Sequence, residues 1–123
     1  MTALVADESG LRRRMVAASL CRVGITKTVQ VGGADHAVAA LVEQDFDLIV
    51  LEVGGSPPAS VNAVREIRGM AQDTPVILVG EELTPRRAVE VKQAGADAFV
   101  LRPFEPTTLA DKARVLLRPR MLS

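Results

Sequence analysis

The chain has 123 residues, 48% of them hydrophobic and 24% charged, and its 15 Lys and Arg balance 15 Asp and Glu to a formal net charge of zero. That length accommodates one hydrophobic core, and the composition is that of a globular domain, which excludes disordered, collagen-like and coiled-coil classes. Zero net charge and only three aromatic residues, Phe46, Phe99 and Phe104, argue against direct nucleic-acid binding, which needs a cationic excess and stacking surfaces.

Ala3 to Ala6 is a short continuous apolar run, the mark of a strand buried on both faces. Ser9 follows as the cap of a helix on which Leu11, Met15 and Ala18 share an apolar face. Arg12, Arg13 and Arg14 read as its solvated face or as a dock for a partner, and Cys21, near its end, as an inert core thiol. Thr26 to Val31 alternates in polarity and suits an edge strand. After Gly32-Gly33 comes a second helix, with Val38, Leu41 and Val42 on its apolar face and His36 at the surface near its start. Leu48 to Leu51 is the third strand, and Gly54-Gly55-Ser56-Pro57-Pro58 a loop. The third helix aligns Val61, Val64, Ile67 and Arg68; the fourth strand is Val76 to Val79. Thr84-Pro85 opens a helix carrying Ala88 and Val91, and Gly95 closes it. Ala98 to Leu101 and a helix with Leu109, Ala113, Leu116 and Leu117 complete the chain.

Five strands alternating with five helices imply a single α/β domain over residues 1–123, a doubly wound parallel sheet with helices on both faces. No apolar run approaches the roughly 18 residues of a membrane span, and the first residues lack a basic leader, so a cytoplasmic protein without membrane insertion is expected. One cysteine cannot form an internal disulfide, which agrees with a reducing compartment.

Ligands of open α/β sheets sit at the carboxyl ends of the strands, and in the order 2-1-3-4-5 the switch point lies between strands one and three. The residues that end these strands are Asp7 and Glu8, then Glu52, then Gly80, Glu81 and Glu82, then Arg102-Pro103. Clustered acids repel and need a divalent cation or a basic side chain. The glycine pairs match neither a dinucleotide fingerprint nor a phosphate-binding loop, no serine sits in a nucleophile elbow, and a lone His36 makes no zinc site. No enzyme is implied.

Four stretches carry a family resemblance: residues 4–9 (LVADES), 47–53 (DLIVLEV), 74–79 (TPVILV) and 94–104 (AGADAFVLRPF). Together the chain resembles the receiver domain of two-component response regulators, most of all the single-domain chemotaxis type. The resemblance implies a flavodoxin-like five-stranded sheet in the order 2-1-3-4-5. It also implies an acidic pair that binds magnesium, an aspartate ending strand three that accepts a phosphoryl group from a histidine kinase, a hydroxyl ending strand four, a lysine ending strand five, and an aromatic switch three residues before that lysine. Asp7 and Glu8 stand at the acidic pair and Phe99 at the switch; Glu52 replaces the acceptor, Gly80 the hydroxyl and Arg102 the lysine. From sequence alone Arg102-Pro103 defaults to trans, whereas the resemblance implies cis.

The substitutions have chemical consequences. Lengthened acids fit octahedral magnesium poorly, so weak magnesium at Asp7, Glu8 and Glu52 is the most to expect, with no other cofactor. Arg102 brings a planar fork suited to a carboxylate, and with Glu52 it can form a permanent ion pair where the acyl phosphate would sit. The expectation is an atypical receiver that acts by phosphorylation-independent protein contact, Glu52 mimicking the phosphorylated state. The alternatives are an unconventional phosphoacceptor and a small-ligand sensor using the pocket vacated at Gly80. Its partner would be a histidine kinase, motor or output protein. The expected contact face is built from the fourth helix, fifth strand and fifth helix, with Arg86, Arg87, Glu90, Lys92, Lys112, Arg114 and Arg118 exposed. That face can also support a homodimer. An initiating Met1 and an ending soon after the last helix suggest a stand-alone protein.

Overall fold

A computed structural model of the chain describes residues 1–52 and 57–122, leaving aside the side chains of residues 57, 58 and 120–122. The elements are β1 (Thr2–Ala6), α1 (Gly10–Cys21), β2 (Lys27–Val31), α2 (Ala34–Glu43), β3 (Leu48–Glu52), α3 (Pro57–Met70), β4 (Val76–Gly80), α4 (Pro85–Ala94), β5 (Ala98–Leu101) and α5 (Pro106–Leu122). All neighbouring strands are parallel, in the order β2-β1-β3-β4-β5. Three of the four continuous apolar runs occupy the inner strands, where both faces need cover; the fourth, Ala98–Leu101, is the β5 edge with Leu101 exposed, and the alternating run is the β2 edge.

The period-2 pleat divides the core into two layers. Leu4, Ile49, Leu51, Val76 and Leu78 pack against residues of α2, α3 and α4, whereas Ala3, Val5, Leu48, Val50, Ile77 and Val79 pack against those of α1 and α5. Continuing the second parity past the strand ends gives Asp7, Glu52 and Arg102. Continuing the first gives Gly80. The pleat thus sends the charged residues toward the α1 and α5 layer before any side-chain contact is made.

The Ser9 and Thr84 hydroxyls accept hydrogen bonds from the amides of Arg12 and Arg87, as their positions before the helices imply. Gly95 closes α4 with φ +121°, and a Cβ there would lie 2.8 Å from Arg68 Cγ, so both backbone and space demand glycine. Arg68, aligned with apolar residues in the sequence, turns back at the end of α3. Its guanidinium donates to the carbonyls of Ala71, Gln72, Thr74 and Gly95 and to Asp97. The Arg102-Pro103 peptide is cis.

Several local expectations need correction. Leu11, Met15, Ala18 and Cys21 are exposed on α1, whose buried residues are Val16, Ser19 and Leu20. The helix is rotated because its inward stripe is headed by Arg12 and Arg13, which find partners at the sheet, as the next section describes. Val42 is exposed, since Ala37, Val38 and Leu41 suffice to cover the sheet. Pro57 and Pro58 belong to the first turn of α3, where proline costs no hydrogen bond; the remainder of the loop, residues 54–56, lies outside the described residues.

Candidate functional site at the strand ends

Asp7 follows β1 and its amide still bonds Val31 O, so its carboxylate stands at the carboxyl edge of the sheet. Glu52 ends β3, one step beyond the Ala6 and Leu51 pair. Both are buried, at 3% and 6% exposure, whereas Glu8 and Glu81 lie open to solvent. Two carboxylates brought this close in a poorly solvated place demand positive charge.

Two guanidiniums supply it. Arg102, delivered by the chain after β5 and anchored by its amide on Gly80 O, places Nη2 at 2.8 Å from Glu52 Oε1 and 3.4 Å from Glu81 Oε1. The contact uses one nitrogen, not the two-pronged grip that a guanidinium fork permits, because Nη2 is shared with Glu81. Arg12 supplies the second charge from the first turn of α1. Its Nε donates to Asp7 Oδ1 and Oδ2 at 3.1 and 2.9 Å and its Nη2 donates to Oδ1 at 2.9 Å. Nη2 also lies 3.8 Å from Glu52 Oε2 and 3.9 Å from Glu8 Oε1. Arg13 Nη1 donates to Asp7 O at 2.7 Å.

This is the main residue that reading the sequence misplaced: Arg12 belongs to the site, not to a solvated charge run. The signal was present in the spacing. Val16, Leu20 and Val23 form an i, i+4, i+7 stripe, and stepping back four from Val16 lands on Arg12.

The electrostatics follow the geometry. Burial foremost, then the Asp7 charge, raise the Glu52 carboxyl above its ordinary range; Arg102 and Arg12 pull it down without cancelling the rise. The hydrogen bond to Asp7 holds Arg12 even more firmly protonated than an ordinary arginine. Glu52 Oε2 and Arg102 Nε are sealed from water without a hydrogen-bond partner, so the pair is only partly satisfied.

Magnesium does not fit these side chains as they stand. Asp7 Oδ1 already accepts from Ser9 N and from Arg12 Nε and Nη2, and Oδ2 from Arg12 Nε, so a guanidinium faces both oxygens where a cation would have to bind. Among the described residues no group of three or more His, Cys, Asp or Glu is placed to hold a metal ion.

Gly80 and Phe99 form a second unit, on the opposite face of the sheet. A Cβ at Gly80 would lie 3.0 Å from Phe99 Cζ, so the ring sits in the space that a side chain at position 80 would claim. Phe99 thus takes the space directly beside the Gly80 Cα, while a wider cavity lined by Gly80 and Phe99 stays open. Two cavities flank the charged cluster. One, of about 340 Å³, reaches Gly80 and Phe99 and is lined by Leu83 and Val91 as well as by Glu8, Glu81, Glu82 and Arg87. The other, of about 550 Å³, is lined by Val5, Met15, Val16, Val50, Val79 and Phe104, with the ion pairs at one end.

On the α4, β5 and α5 side, Arg86, Lys92, Lys112, Arg114 and Arg118 are exposed. Arg87 and Glu90 are half-buried and paired with each other, so only part of the expected basic surface is open. Glu90 also pairs with Arg86, and Arg114 with Asp111.

A family model for the response regulator receiver domain matches residues 3–114, and the chain belongs to that family. It is 25% identical over 114 residues to the chemotaxis protein CheY-3 of Vibrio cholerae, covering 91% of this chain and 88% of the relative. It is 28% identical over 115 residues to the sensory/regulatory protein RpfC of Xanthomonas campestris, covering 90% of this chain but only 16% of that protein. Among solved structures, Vibrio cholerae CheY4 superposes with a TM-score of 0.83 at 25% identity, covering 94% of this chain and 98% of that one. The receiver domain of NtrX from Brucella abortus gives 0.81 at 27% identity, with the same coverage. The fold is the chemotaxis-type receiver fold, and the chain is a two-component signalling module of this class.

Proposed function

We propose that this receiver domain signals by protein contact without forming an acyl phosphate, and is a signalling module rather than a catalyst. The observation that carries the reading is the Glu52 carboxylate, nearly sealed from solvent, with Arg102 Nη2 at 2.8 Å from Oε1. An acceptor must present a free, ionised oxygen to an incoming phosphorus, in line with its leaving group. Glu52 offers no free oxygen: Oε1 is bonded to Arg102 and Oε2 is sealed from solvent. The ion pair stands in for the contact that phosphate and lysine make in the family pattern, and Phe99, with no side chain at position 80 to displace it, stays in one packing state. The surface of α4, β5 and α5 then offers a constant face to a histidine kinase, a motor or an output protein, or to a second copy of the chain.

The test is intact-mass measurement after exposure to a small phosphodonor such as acetyl phosphate with magnesium. No adduct is expected. A stable phosphoryl adduct on Glu52 would overturn the reading. Unchanged partner affinity in Glu52→Gln would leave phosphorylation independence standing and remove the idea that Glu52 mimics phosphate.

One observation favours a second reading, a small-ligand sensor. The 550 Å³ cavity between α1 and the strand ends has the size and apolar lining of a small-molecule site. The pocket expected at Gly80 is a separate cavity of about 340 Å³, lined by Gly80, Leu83, Val91 and Phe99, and is the other seat for such a ligand. A thermal-shift screen of neutral apolar compounds that gave no stabilisation would remove this reading.

A further inference from the structure

We infer that Arg12 is a resident cation, a side chain that takes the place of the divalent ion and makes the folded site independent of metal. One nitrogen, Arg12 Nη2, lies within 4 Å of all three acids at which weak magnesium is the most to expect: 2.9 Å from Asp7 Oδ1, 3.8 Å from Glu52 Oε2 and 3.9 Å from Glu8 Oε1. The guanidinium is therefore central to the cluster, and a metal ion at the same place would meet its charge head on.

The local chain is built to deliver it. Asp7 Oδ1 accepts from Ser9 N, and the Ser9 hydroxyl accepts from Arg12 N. Those two bonds fix the first turn of α1 relative to the carboxylate that its third residue reaches. Arg13 adds a bond to Asp7 O, tying the same turn to the strand end a second time. Arg12 is thus positioned before any ion arrives. A hydrated magnesium ion would have to shed water, displace a fork of three hydrogen bonds from Asp7 and place a guanidinium in solvent. Arginine also keeps its charge at every pH at which the protein is folded, whereas metal occupancy varies with concentration.

The same geometry makes the cation site latent. Removing Arg12 leaves Asp7, Glu8 and Glu52 around a space with one fewer positive charge, and carboxylates are the ligands of hard divalent ions. This inference does not rest on phosphorylation independence. Phosphodonor labelling bears on that reading, and metal titration bears on this one.

The experiment is Mn²⁺ and Mg²⁺ titration of the full chain, followed by amide NMR, for the native protein and for Arg12→Ala, Arg12→Gln and Arg12→Lys. In the native chain, Mn²⁺ at millimolar concentration is expected to give no saturable broadening centred on Asp7, Glu8 and Glu52. Arg12→Ala and Arg12→Gln are expected to gain it, with affinity higher by about tenfold or more, since a unit charge at ~4 Å in a partly screened site is worth more than that factor. Arg12→Lys, which keeps the charge, is expected to behave like the native chain. If Arg12→Ala unfolds, Arg12→Gln keeps more of the aliphatic stem and serves alone; if both unfold, the inference requires Mg²⁺ to raise their refolding yield. Native binding as tight as that of the variants, or folded variants with no gain, or unfolded variants that Mg²⁺ does not rescue, would overturn it.

Discussion

Arg102 Nη2 lies 2.8 Å from Glu52 Oε1, joining the ends of β3 and β5 across the intervening β4. The contact lies at the end of β3, where the family pattern places the phosphoryl acceptor. Because Glu52 is buried, loss of the cation cannot be repaired by water. Arg102→Met is expected to lose about 3 kcal/mol at neutral pH, the lower end for a broken buried pair. Adding Glu52→Gln should recover part of it, with a coupling energy of about 1–3 kcal/mol in a double-mutant cycle from urea unfolding. Additive losses would mean the pair does not stabilise the fold.

The raised Glu52 pKa sets a sign for pH dependence. Burial, then the Asp7 charge, make the folded protein hold this proton more tightly than the unfolded chain does. Its favourable contribution is therefore complete below the unfolded value, about 4.3, and is lost as pH rises through the raised folded value. The unfolding free energy of the native chain minus that of Glu52→Gln should fall as pH increases from about 4 into the neutral range. A difference that rises over that window would show that the ion pairs outweigh burial.

Gly80 and Phe99 make a packing prediction. A Cβ at position 80 would meet Phe99 Cζ at 3.0 Å, so Gly80→Thr must displace the ring. A cost of about 1–3 kcal/mol is expected, as for overpacking of a core. Altered Phe99 ring resonances should accompany it, and Phe99→Ala in the same chain should relieve the clash. Unchanged ring resonances would show that the space is not shared.

Arg68 makes a prediction far from the site. Its guanidinium donates to four carbonyls and to Asp97, tying the end of α3 to the turns that precede β4 and β5. Arg68→Met keeps the stem and deletes the donors. About 2–3 kcal/mol should be lost, since charged hydrogen bonds are worth more than neutral ones. Urea unfolding measures it, and a loss below about 0.5 kcal/mol would show that water replaces these bonds.

The sheet was legible because inner strands of a parallel sheet need apolar cover on both sides, and Ala3–Ala6, Leu48–Leu51 and Val76–Val79 announce that need within four residues. Helix starts were legible for local reasons, Ser9 acting on an amide three residues away and Pro85 standing in the first turn, where its missing N–H costs nothing. The rotation of α1 was not. Leu11, Met15 and Ala18 satisfy the helical period as well as Val16, Leu20 and Val23 do, and only the packing of α1 against the sheet and α5 selects the second stripe.

Composition and pattern therefore determined, without coordinates, a parallel α/β sheet whose strand ends collect acids, and the family resemblance added that Glu52, Gly80 and Arg102 stand where its pattern has other residues. Tertiary structure decided how the acids are neutralised. Arg12 is five residues from Asp7 in sequence and Arg102 is fifty from Glu52, yet both meet their carboxylates at 2.8–2.9 Å. Local rules reach a few residues along the chain; the balance of charge in a buried site is set by which side chains arrive from every element around it, and that is a property of the packed fold.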